Sequence, residues 1–97
     1  MIKKLPIGNS IKKEAPEPSQ VLVNDPAEIG RIVRQARKHA GLRQAQAAAL
    51  CGVGTRFLSD VENGKPTLHL GKVLQVLKGF GLRVMIKRKK FSDDRNP

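Results

Sequence analysis

Between Arg43 and Lys65 the chain reads RQAQAAALCGVGTRFLSDVENGK, and its chemistry-bearing residues are hydrogen-bonding side chains on the outer face of a short amphipathic run. From Thr55 to Glu62, Leu58 and Val61 fall at the spacing of an inward helical stripe, which leaves Thr55, Arg56, Ser59 and Asp60 largely outward. Arg56 is the most telling of these. A guanidinium matches the paired O6 and N7 acceptors that guanine shows in the major groove, and one such bidentate contact discriminates by about 1–3 kcal/mol. Thr55 can bond a base edge or meet a thymine methyl, and Ser59 can bond either. Asp60 could accept from a cytosine amine, but a carboxylate near phosphates more often pairs with an arginine, and such a pair is the expectation.

Other chemistries find no support. Ser, His and acidic residues do not assemble into a triad, and no Gly-rich phosphate loop is present. Cys51 is the single cysteine, so an intrachain disulfide and a multi-cysteine metal site are ruled out; it reads as a small buried hydrophobe. His39 and His69 lie too far apart for a zinc spacing and read as surface or helix-end residues. No catalytic residue, metal or cofactor is expected.

Ninety-seven residues with 39% apolar content suffice for one compact core plus tails. The formal charge of +11 favours a polyanionic partner. That excess runs through the centre: residues 25–80 hold nine basic and four acidic side chains. Three Phe are the only aromatics, too few for the stacking platforms of single-strand and RNA modules, so double-stranded DNA is the better polyanion. No apolar run approaches the roughly 20 residues that cross a bilayer, and Pro6 interrupts any signal-peptide core; a cytoplasmic protein without membrane contact is expected.

Residues 1–24 are a Pro-rich basic arm, and 89–97 a basic tail. Asp25-Pro26-Ala27-Glu28 predicts a capped helix start, with Ile29, Val33, Ala36 and Ala40 as its inner stripe and Gly41 as its stop. Gln44–Cys51 is a second, alanine-rich helix, and Gly52 makes the turn above an apolar plug, Val53. After Thr55–Glu62, Asn63-Gly64-Lys65-Pro66 is a dense stop. Thr67 can then cap a fourth helix with Leu70, Val73, Leu74, Leu77 and Phe80 inward, ended by Gly79 and Gly81. Leu82, Val84 and Ile86 alternate with Arg83, Met85 and Lys87 in the period of a half-buried strand. Its partner must be Val21–Val23 or a second subunit, and the second subunit is favoured. The fold class expected over 25–88 is mainly α, a compact four- to five-helix helix-turn-helix domain whose C-terminal strand pairs across a dimer.

Gln44, Ala48, Gly52 and Glu62-Asn63-Gly64-Lys65 stand in the order and spacing of the phage-repressor and Cro-like (XRE) helix-turn-helix family, which the chain resembles over about residues 26–88. Leu70–Leu77 followed by Gly81–Ile86 resembles the last helix and dimerising strand of the HipB type, antitoxin repressors that partner HipA-like kinases. The resemblance implies a homodimer on palindromic operator DNA, with half-sites about one helical turn apart. It also implies a phosphate contact for Gln44, and Arg43, Asn63 and Lys65 are placed to do likewise around the reading helix. A further implication is a structural ion pair between Arg37 and Glu62, clamping the first helix to the third. Arg43 and Gly54 depart from the family, which usually places Thr or Ser at the first position and often Ser or Lys at the second; Arg43 would serve a phosphate instead. The expected function is a sequence-specific repressor that is also the antitoxin of a HipA-like kinase toxin. Three alternatives stay open: a free-standing phage-type or housekeeping regulator with no toxin partner, an interaction adaptor whose helix-turn-helix no longer binds DNA, and a basic RNA-binding protein.

Overall fold

The computed structural model describes residues 20–89; most of the expected N-terminal arm and all but the first residue of the expected C-terminal tail lie outside them. Four helices follow one another: α1 (Pro26–His39), α2 (Gln44–Cys51), α3 (Thr55–Glu62) and α4 (Leu70–Gly79). The start of α1 is built by Asp25, whose backbone is extended and whose Oδ1 accepts from Glu28 N at 3.0 Å. Glu28 reaches back to the backbone N–H of Asn24, one residue ahead of the cap.

All four helices end on the same device. A glycine in the left-handed region follows each one, and the residue after it donates to the carbonyl five positions back: Leu42 to Arg37 at 3.1 Å, Val53 to Ala48 at 3.0 Å, Lys65 to Asp60 at 3.0 Å and Leu82 to Leu77 at 2.8 Å. This double-bonded ending satisfies carbonyls that a short helix would otherwise leave open. Leu42, Val53 and Leu82 each also pack on the core, so the device turns the chain and seats a side chain together.

Val33 of α1, Ala47, Ala48 and Cys51 of α2, Leu58 and Val61 of α3, and Val73, Val76 and Leu77 of α4 form the buried centre. Helix α3 lies against both α1 and α2, and α4 packs on α2. Two glycines inside helices allow this closeness. A Cβ on Gly30 would stand 2.5 Å from the Glu62 carbonyl oxygen, and one on Gly79 would stand 2.6 Å from Cys51 Sγ. Gly79 is therefore a packing residue at the last helical position and not the stop that its place in the sequence suggests.

The register of α4 also differs from expectation. Its cap is His69, whose Nδ1 accepts from Lys72 N at 3.3 Å, in place of Thr67. Val76 is fully buried, while Leu70 and Leu74 are exposed. Both stripes have helical spacing; the contact of Gly79 with Cys51 selects the one carrying Val76, because it fixes which side of α4 meets α2. Ala40 lies just past α1 and is likewise exposed.

No strand occurs among the described residues of the single chain, where one was expected at Leu82, Val84 and Ile86. The α4 ending draws Leu82 onto the core, but Val84 is 58% and Ile86 97% exposed. Gln20 Nε2 comes within 3.7 Å of Met85 Sδ, so the segments before α1 and after α4 meet without forming a ladder. A strand exists only through pairing, and a single chain offers this one no paired edge. No described helix is long and apolar enough to cross a membrane.

Candidate nucleic-acid interface

Glu62 closes α3 and points its carboxylate into the space between α1 and α2, where its side chain is fully buried. An isolated charge there would be costly. Arg37 answers it from α1 with Nε 2.5 Å from Oε2 and Nη2 3.0 Å from Oε1, while its Nη1 donates to the Leu42 carbonyl at 2.9 Å. Gln44, the first residue of α2, donates to Oε1 at 3.1 Å. Arg34 brings Nε to 3.5 Å from the same oxygen. One carboxylate thus ties together α1, the start of α2 and the end of α3. Burial opposes its charge, yet the hydrogen bonds from Arg37 and Gln44, the Arg37 charge and the nearby Arg34 guanidinium hold it below the usual glutamate range. The same hydrogen bond raises the Arg37 pKa further.

The two central helices begin without side-chain oxygen caps. Arg43 is extended, and Gln46 Oε1 accepts from its N–H at 2.9 Å, but a guanidinium carries donors only. Gly54 opens α3 with no side chain to offer. Neither helix has an acid in its own first turn, and the carboxylate that reaches the start of α2 is that of Glu62, through the Gln44 amide. The left-handed backbone at Gly52 makes the turn between them, and the Gln75 side chain locks it by donating to the Cys51 carbonyl at 2.8 Å and the Gly52 carbonyl at 3.1 Å.

On α3, Leu58 and Val61 are buried, Thr55 and Arg56 are exposed, and Ser59 is half-buried. Asp60 pairs loosely with Lys65 at 4.0 Å and not with an arginine, and Asn63 is exposed at the end of α3. Arg43 is exposed at the start of α2. The Gln44 amide, expected at a phosphate, is here turned inward to Glu62. Lys72 lies over the Phe57 ring, 5.9 Å from its centroid. Cys51 is buried, which pushes its thiol pKa up, and its Sγ lies 3.7 Å from the Val76 carbonyl. No cluster of metal-ligating side chains occurs among the described residues.

Sequence reasoning misses Arg34, Gln75 and Gly30. Only Gly30 leaves a signal, since a glycine inside a helix costs about 1 kcal/mol against alanine and calls for a packing reason. The other two act through contacts between elements, and no local spacing announces them.

Comparison with known proteins agrees with this architecture. A family model described as a helix-turn-helix domain matches residues 28–84. An uncharacterized HTH-type transcriptional regulator of Sinorhizobium fredii, y4mF, is 50% identical over 64 residues, covering 66% of this chain and 84% of that protein. Among solved structures, a chain of the HipA-HipB-O2-O3 complex superposes with a TM-score of 0.65 at 18% identity, over 73% of this chain and 100% of that one. A chain of the HipB-O4 20mer complex gives the same TM-score, identity and coverage. At such identity the structural likeness speaks for the fold alone; the family match, which runs from within α1 through α4 and includes the turn at Gly52, together with the 50% identical relative, shows that the chain belongs to the helix-turn-helix domain family.

Proposed function

We propose that this protein is a sequence-specific, double-stranded DNA-binding transcriptional repressor that works as a homodimer. The observation that carries the reading is the short α3, held by Glu62 to α1 and α2 and presenting Thr55 and Arg56 to solvent with Ser59 beside them. A rigidly held helix with polar residues near its N-terminus fits the major groove, with Thr55, Arg56 and Ser59 meeting base edges. Arg43, Gln44, Asn63 and Lys65 surround it as phosphate contacts, Gln44 through the N–H end of α2 and, on release from Glu62, through its amide. Identity of 50% to an HTH-type transcriptional regulator supports the regulatory role.

In the same reading Leu82, Val84 and Ile86 pair with their counterparts across a twofold axis, which would cover the exposed side chains of Val84 and Ile86 and match a palindromic operator. The fold likeness to HipB supports an antitoxin role beside a HipA-like kinase, with autoregulation of the shared operon. A second reading, a free-standing regulator with no toxin partner, is favoured by the relative whose description names only transcriptional regulation. Fluorescence anisotropy with the DNA upstream of the gene, against random duplex and single-stranded RNA, tests the DNA reading: tighter binding to the upstream duplex is expected, and equal binding to all three overturns it. Co-expression with the product of the neighbouring gene separates the two regulatory readings, since a stable complex with a kinase-like protein is expected of the antitoxin alone.

A further inference from the structure

Glu62 Oε1 has three donors around it and capacity for two. Arg37 Nη2 at 3.0 Å and Gln44 Nε2 at 3.1 Å fill it, while Arg34 Nε at 3.5 Å lies beyond ordinary hydrogen-bond range. The charge count shows the same surplus. Arg37, with a side chain only 11% exposed, already neutralises Glu62 through two bonds, so Arg34 adds a second positive charge to a pair that needs none. Its side chain is 48% exposed. It shares Glu62 Oε1 with the Gln44 amide and so stands beside the first residue of α2, a helix with no acid in its own first turn and no side-chain oxygen on its cap. A guanidinium held in direction by a carboxylate that Arg37 already neutralises, and half exposed beside the start of α2, keeps outward N–H donors and a net positive charge for an anion from outside.

We propose that Arg34 is a further phosphate contact of this protein, binding a backbone phosphate of duplex DNA together with the start of α2, and that Glu62 is its positioning residue. The inference rests on the DNA-binding reading above and adds a residue of α1, outside the two helices of the motif. Because the ligand is a phosphate, the contact is blind to sequence and enters through counterion release.

The test measures binding of the full chain and its Arg34→Gln and Arg34→Lys variants to upstream and random duplexes by anisotropy over a range of KCl concentrations, with thermal melting alongside. Arg34→Gln is expected to weaken both duplexes by a similar factor, about fivefold or more, and to reduce the slope of log K against log salt by about 0.9 per protomer, with Arg34→Lys restoring the slope. Melting should stay close to wild type, since Arg37 still holds Glu62. A slope unchanged in Arg34→Gln overturns the proposal, as does a loss of affinity that tracks a lowered melting point and is not restored by Lys. If the wild type discriminates the upstream duplex while Arg34→Gln keeps its slope, only the Arg34 contact fails; if the wild type fails to discriminate, the DNA-binding reading falls with it.

Discussion

Arg56 and Glu62 stand near opposite ends of α3 and face opposite ways, one into solvent and one into the clamp. For Arg56 the relevant quantity is a difference between sequences. Arg56→Ala should reduce discrimination between the upstream duplex and a variant changed at one guanine by about 1–3 kcal/mol, read as a ratio of dissociation constants; an unchanged ratio would remove Arg56 from base reading. For Glu62 the quantity is stability. Glu62→Ala would strand the Arg37 charge, and a chemical-denaturation series should show a loss of about 3–5 kcal/mol, as for other broken buried pairs. The pH dependence has a definite sign. A carboxyl whose folded pKa lies below its unfolded value of about 4.3 contributes stability that is full above that value and is lost as pH falls through the lower, folded one. Wild-type unfolding free energy should therefore drop on acidification below about pH 4.3, and Glu62→Gln should flatten that drop; equal acid slopes for the two proteins would argue against a charged Glu62 in the fold.

At the level of elements, the packing of these short helices depends on the absence of side-chain atoms at two places, Gly30 against the end of α3 and Gly79 against Cys51. Gly79→Ala should cost about 1–3 kcal/mol through overpacking. The nearest obstacle is the Cys51 sulfur, so Cys51→Ala should relieve part of that cost. In a double-mutant cycle the double variant should be more stable than the two single losses predict by at least about 0.5 kcal/mol. Additive losses would mean that α4 shifts as a body. The same contact explains why Val76 is inside and Leu74 outside, a choice the sequence leaves open because both stripes of α4 carry helical spacing. By contrast the boundaries of α1, α2 and α3 are legible in the amino-acid sequence. Asp25-Pro26, Gly41, Gly52 and Asn63-Gly64 act within a few residues of themselves, and their energetics do not depend on what packs above them.

Taken together, the described residues form a small basic domain with an apolar segment, Val84 to Ile86, exposed beyond its core. If that segment is the twofold contact, Ile86→Asp should convert a dimer to a monomer in light scattering after size exclusion, and the affinity for a two-half-site duplex should fall more than that for a single half-site. A variant that remains dimeric would place the contact elsewhere. The order of the helices, the turn at Gly52 and the exposure of Thr55 and Arg56 were legible in the amino-acid sequence, because each follows from local spacing or local backbone freedom, and the summed charge carries the expectation of a polyanionic partner. Packing between helices brings Gln44 and Arg34 to the oxygen that Arg37 binds, sets Gln75 on the turn and chooses which stripe of α4 is buried, and none of these follows from local spacing. Those outcomes depend on distances between elements far apart in the chain, and such distances are set by how closely glycine and alanine let helix backbones approach.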